Sequence, residues 1–223
     1  MDTKLLRDAL IRMTAGAVLM AALLFIPAGD PQWKNGWLLM GLLFIPMTIL
    51  GLVIYVKAPD LLRKRLNAKE RREEQKEVVG LSGLMFLAAF ITAGLSHRFG
   101  WASFPEGIVW AGAALFVLSY IMYAEVIREN SYLSRTIEIQ EGQKVVDTGL
   151  YGIVRHPMYS ATIVMFLSMA LILDSPVSFV IMLAYVPIIV KRTLDEEHAL
   201  MDGLPGYREY TEKVKYRLLP FVW

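Results

Sequence analysis

Hydropathy along the chain alternates between long uncharged apolar runs and short charged connectors. The runs extend roughly from Met13 to Ile26, Trp37 to Val56, Val79 to Ser96, Ile108 to Ala124, Met158 to Leu173 and Val177 to Val190. A bilayer core asks for about 20 apolar residues of a spanning helix, a length that the second to fourth runs approach or reach. The last two are shorter and are parted only by Asp174, Ser175 and Pro176, which predicts a tight helical hairpin. No small-residue cleavage site follows Ile26, and a second run arrives after Pro27 to Gly36. The first run is therefore expected to stay as a helix and not to be removed as a leader. The pattern predicts an all-α integral membrane protein with about six transmembrane helices.

Charge adds a direction to that pattern, because Lys and Arg accumulate in short cytoplasmic loops. With the N-terminus inside, three cationic residues precede the first span and eight lie between Lys57 and Lys76. Four more lie between Arg128 and Arg155, and six follow Val190, which leaves only Lys34 and Arg98 for the outer side. Both termini are expected in the cytoplasm, with Trp33, Trp37, Trp101 and Trp110 as an aromatic belt at the outer span ends. The segment from Lys57 to Glu77 carries eight basic and five acidic residues with Leu61, Leu62 and Leu66 at helical spacing. It is expected at the inner membrane surface, either attracted to anionic lipid or as a plain solvated connector.

Composition narrows the function classes. Hydrophobic residues make up 56% and mean hydropathy is +0.45, above the roughly 45 to 50% of soluble chains. Lys and Arg number 23 against 21 Asp and Glu, a near-balance that argues against nucleic acid as partner. With no Cys, a disulfide framework, a thiolate metal site and a catalytic thiol are excluded. Ionisable residues avoid the middles of the spans, where an ion pathway would need them, which argues against a transporter.

The polar chemistry is concentrated after Arg128. Ile137, Ile139, Val145 and Val146 around Glu141 and Gly142 predict a small hairpin-like or extended element. Then comes GLYGIVRHPMY, Gly149 to Tyr159, in which Pro157 suits the first turn of the fifth span. Arg155 and His156 fall at that helix entrance, where unpaired amides and the positive helix end suit an anionic group; a histidine that merely caps the helix is the plainer alternative. The sixth span runs into KRTLDEEHAL, Lys191 to Leu200, and is expected to emerge as one helix with Arg192 and Glu196 on one face. By spacing alone that pair reads equally as an ordinary surface ion pair. GLPGYREY (Gly203 to Tyr210) and VKYRLLPFVW (Val214 to Trp223) add a turn, two tyrosines at i and i+3, and an aromatic end able to fold back onto the membrane face.

Taken together, RHPMY at Arg155 to Tyr159 preceded by GLY, an apolar hairpin, Arg192 followed by Glu196 and Glu197, then Gly206, Tyr207 and Tyr210 resemble the isoprenylcysteine carboxyl methyltransferase family. That family shares features with phospholipid N-methyltransferases and, more remotely, with membrane sterol reductases. The resemblance covers about Glu125 to Trp223. It implies a single membrane domain over residues 1–223, with N-terminal transmembrane helices over 1–127 and a methyltransferase core over 128–223. It also implies an enzyme that uses S-adenosylmethionine, with the cytoplasmic loop and C-terminal tail forming the cofactor site. Carried over by position, Gln140, Gln143, Lys144, Val145, Val146, Tyr151, His156, Pro157, Met158 and Tyr159 would contact the cofactor, and Glu196 would complete its site. Arg192 would face the acceptor carboxylate as the catalytic residue, and no metal is implied. Gln143 stands where the family often has His, and Ala161 where Gly commonly follows the motif.

A cationic sulfonium is matched by a carboxylate such as Glu196 and by tyrosine faces, and no glycine-rich dinucleotide-type turn occurs here. The expected reaction is methyl transfer to a lipophilic or lipidated acceptor, of isoprenylcysteine type if a carboxylate. A phospholipid amine, a small thiol and a non-catalytic membrane scaffold are the alternatives. The compact layout suggests a prokaryotic plasma membrane, with membrane lipid as the surrounding partner.

Overall fold

The computed structural model describes residues 3–67, 73–133 and 139–223. Its helices are α1 (Thr3–Ala28), α2 (Lys34–Lys57), α3 (Pro59–Asn67), α4 (Glu73–Phe99), α5 (Glu106–Glu129), α6 (Pro157–Ile172), α7 (Pro176–Met182), α8 (Tyr185–Gly203) and α9 (Tyr207–Lys213). A single 3-10 turn, Gly149–Gly152, precedes α6. Four of these helices, and α7 with α8 taken as one stretch, are long and apolar enough to cross a membrane, and α6 is a shorter apolar helix. The architecture is all-helical among the described residues and follows the runs read from the sequence.

Local chemistry sets the helix ends. Ser175 caps α7 by accepting from the amide of Ser178 at 3.2 Å, and Pro176 occupies the first turn. This makes the α6–α7 hairpin that the short separator predicts. The expectation of one unbroken sixth helix needs correction, because α7 ends at Met182 and α8 restarts at Tyr185. Pro187 has no amide hydrogen to give the carbonyl of Leu183, and the backbone there tightens to a bond from Val186 to Leu183 of 3.1 Å. Beyond that break, α8 continues to Gly203 as expected.

Packing requires close helix approaches at two glycines. A Cβ at Gly112 of α5 would lie 2.6 Å from Leu171 Cβ, and one at Gly94 of α4 would lie 2.7 Å from the carbonyl of Leu24. Without side chains, these positions let α5 meet α6 and α1 meet α4 almost backbone to backbone. The main apolar core draws Leu24, Leu39, Ala89, Phe116, Tyr159, Met182 and Ile189 from seven different helices. A second cluster of Leu5, Ile54, Tyr55 and Leu62 fastens amphipathic α3 beneath α1 and α2.

Two further sequence expectations change. Trp33 is buried and stacks on His97 with ring centroids 4.9 Å apart, so it packs against the end of α4 and does not join an exposed belt; Trp37, Trp101 and Trp110 are exposed. Of the expected extended element, Ile137 lies outside the described residues. The described part is a turn closed by Gln143 N donating to Gln140 O at 3.0 Å, and none of it is strand.

Candidate functional site

At one end of the bundle, five segments meet around an open recess. They are the residues just after α5, the loop from residue 139, the Gly149–Tyr159 stretch, the far half of α8, and α9 with Leu204 before it. A mixed apolar and polar lining is typical of small-molecule sites.

Glu196 and Glu197 are neighbours in sequence and do different things, because successive helical residues point about 100° apart. Glu196 lines the recess. The Tyr159 hydroxyl donates to its carboxylate, and Arg192 Nε donates to that same hydroxyl at 3.0 Å. Tyr159 therefore stands between the two charges that sequence spacing pairs directly. Tyr185, two turns before Arg192, donates to Thr162 Oγ1 at 3.0 Å and continues the polar seam between α6 and α8.

Glu197 faces away from the recess and is 2% exposed. Its Oε1 accepts from Arg155 Nε at 2.6 Å and its Oε2 from Arg217 Nε at 2.7 Å, with His156 Nε2 3.3 Å from Oε1. Arg155 also donates to the carbonyls of Val214 and Lys215 at 2.9 and 3.2 Å. A buried charge is tolerable only when paired and fully hydrogen-bonded, as here. This network ties the α6 entrance, α8 and the tail into one assembly.

The amides of Arg155 and His156 donate to the carbonyls of Tyr216 and Arg217, each at 2.9 Å. Ser160 Oγ donates to the Leu218 carbonyl at 2.6 Å. The anion expected at this helix entrance thus loses two of its donors to the tail. His156 packs its ring parallel to Tyr159, with centroids 5.7 Å apart.

Tyrosines wall the recess. Tyr151 accepts from Asn130 Nδ2 at 2.9 Å, and Tyr210 donates to the Tyr151 carbonyl at 2.7 Å. Burial pushes the Tyr151 hydroxyl up to about 12, with the nearby Glu196 charge adding to the rise. Burial also raises Tyr207, with Glu197 and Glu196 reinforcing it, and raises Tyr210. All three stay neutral at ordinary pH and present rings and hydroxyl groups, not charge.

Of the residues expected at a cofactor, Gln143, Lys144, Val145, Val146, Tyr151, His156, Met158, Tyr159 and Glu196 line this recess together with Arg192. Gln140 and Pro157 are not among its lining residues. Gln140 braces the loop: its amide donates to Gln143 Oε1 at 2.9 Å and its Nε2 to the Tyr132 carbonyl at 2.7 Å. Pro157 is buried as the first residue of α6. Sequence alone gives no role to Glu197, Arg217 or Asn130. Glu197 carried a faint signal in the doubled glutamate, whereas nothing in the spacing connects Arg217, 20 residues on, to it.

Residues 108–204 match the family model of phospholipid methyltransferases. A 91-residue stretch, 40% of this chain, is 30% identical to mouse Delta(14)-sterol reductase and spans 22% of that protein's length. Among solved structures, the chain resembles the eukaryotic intramembrane Ras methyltransferase, isoprenylcysteine carboxyl methyltransferase. That match has a TM-score of 0.57 at 19% identity, covering 94% of this chain and 75% of that one. The fold is therefore that of this membrane methyltransferase.

Proposed function

We propose that the chain is an integral membrane methyltransferase that uses S-adenosylmethionine to methylate a lipophilic acceptor, with a carboxylate of isoprenylcysteine type as the first candidate. The observation that supports this most is the Arg192–Tyr159–Glu196 chain within a tyrosine-walled recess at the end of apolar helices. The donor set suits the cofactor: Glu196 complements a cationic sulfur, tyrosine faces attract it, and Val145, Val146 and Leu204 provide apolar wall. Gln143 and Lys144 would border it from the loop. When bound, S-adenosylmethionine supplies an electrophilic methyl carbon.

This chain's own task is then to orient and exclude water. Tyr159 orients Arg192 by accepting from its Nε, and the planar, permanently charged guanidinium suits an anionic acceptor group. A carboxylate already holds the electron pair it donates to carbon, so no general base is needed. Neutral Tyr151, Tyr207 and Tyr210 add no charge of their own beside Arg192 and Glu196. Residues 1–223 act as one membrane domain in this reading, with 128–223 as its core. The distribution of cationic residues favours a cytoplasmic position for the recess, and the compact layout favours a prokaryotic plasma membrane.

The match to the phospholipid methyltransferase family supports a second acceptor, a phospholipid amine. Arg192 would then hold the lipid phosphate. Labelled S-adenosylmethionine with a panel of prenylcysteine analogues and amine phospholipids separates the two. Methyl ester from the prenylcysteine analogue is the expected product, and Arg192→Lys should lower turnover several-fold while cofactor affinity stays nearly intact. Glu196→Gln should lower cofactor affinity several-fold, read by calorimetry. Failure of the wild type to bind S-adenosylmethionine at all overturns the reading.

A further inference from the structure

After α9 the chain runs back along the α6 entrance and closes a tight turn, with the amides of Leu218 and Leu219 donating to the Trp223 carbonyl at 2.9 and 3.1 Å. The turn's two ends face inward. Leu218 is buried, Trp223 packs against the main core, and the Arg217 guanidinium lies 5.0 Å from the Trp223 ring centroid. Its tip faces outward, with Leu219 49%, Phe221 87% and Val222 75% exposed. Ile153, just before the α6 entrance, is exposed as well. Consecutive apolar side chains thrust out of a turn that is otherwise well fastened are costly in water.

The position of the turn says what covers them. Ser160, in the first turn of the short apolar helix α6, holds the Leu218 carbonyl, so the tip is fixed beside the beginning of that helix. Lys213 and Lys215 flank it in sequence, as suits an anionic lipid surface. A tryptophan with a polar edge and an apolar body also favours that depth. We propose that the Leu219–Val222 tip is a membrane anchor that enters the leaflet next to the recess. Through Arg217 on Glu197 and Leu218 on Ser160, insertion of the tip then holds the tail closed over the α6 entrance. The bilayer becomes part of what assembles the site. The anchor does not depend on which molecule the recess binds, and its test reads no methyl transfer.

The chain has no Cys, so Phe221→Cys or, should that variant fold poorly, Val222→Cys can carry one polarity-sensitive fluorophore. The labelled protein goes into lipid nanodiscs containing nitroxide lipids, with Glu212→Cys on α9 as the reference. Strong quenching by acyl-chain nitroxides at the tip, several-fold above the reference, is the expected result. Quenching by aqueous iodide equal to that at residue 212 overturns the anchor, as does protection from both quenchers, which would mean a protein surface covers the tip. The second readout is trypsin cleavage after Lys215 and Arg217 in nanodiscs. Replacing Phe221 and Val222 by Ser should speed it several-fold, and an unchanged rate overturns the link between insertion and tail closure.

Discussion

The two ends of the bundle both carry charge, and they use it differently. At the recess end, Glu197 is buried and answers Arg155 and Arg217 across three segments of the chain. At the opposite end, Asp30 meets His97 at 3.0 Å where the α1–α2 connection passes the end of α4, and both side chains are partly open to solvent. Nearby, Asp174 accepts from the Phe104 amide at 2.6 Å and links two further loops. A carboxylate shut away from water must keep its partners or destabilise the fold, whereas an exposed one can exchange them for water. The opposite end is fastened; the recess end is held under obligation.

The largest effect should come from Glu197→Gln, which leaves Arg155 buried without a counter-charge. Breaking such a pair costs about 3 to 5 kcal/mol, so thermal unfolding should shift strongly and the tail should become sensitive to protease. A mild shift would mean that water reaches Arg155 and that the two ends are alike. Next comes Tyr159→Phe, which removes the acceptor of Arg192 Nε and the donor to Glu196. Because Arg192 and Glu196 are only half-buried, the loss should stay below the roughly 1 to 3 kcal/mol of a fully buried unmet group. Turnover should fall by more than stability does, and a loss confined to stability would reduce Tyr159 to packing.

The recess should also show itself at high pH. Because burial holds the Tyr151 hydroxyl at about 12, above the usual value near 10, its share of stability is complete below pH ~10. That share is lost as pH rises through the folded value. Comparing wild type with Tyr151→Phe across this range should show alkaline destabilisation weakened in the variant, and identical profiles would show that Tyr151 is solvated. The smallest effect is expected for Asp30→Asn. The hydrogen bond from His97 and that from the Gln32 amide hold the Asp30 carboxyl below its ordinary value, so its contribution is present at neutral pH and fades only as acid reaches that lowered value. Unfolding temperature and activity at neutral pH should barely move, and a large change would contradict the contrast between the ends.

The RHPMY and EE motifs announced chemistry, and Tyr159, Arg192 and Glu196 were legible because each lies in a compact pattern tied to a helix register. The break before α8 was legible in principle, since Pro187 removes a backbone donor at a fixed offset. Trp33 was misplaced because an aromatic residue at a span end looks the same whether it meets lipid or His97. The role of Gln140 was likewise hidden, because its hydrogen bonds to Gln143 and Tyr132 depend on how the loop turns and not on residue type.

By itself, the sequence determined the helical membrane architecture, the hairpin at Ser175 and Pro176, and the half of the chain in which polar residues gather. Those properties are local: hydrophobic run length, capping and proline act within a few residues. Only the tertiary structure decided that Glu197 turns inward to Arg155 and Arg217 while Glu196 turns to Tyr159. It also decided that the tail takes the amides of the α6 entrance and leaves Phe221 exposed. Such pairings join residues far apart in sequence, and they are selected by which buried charge can find a partner once the helices have packed.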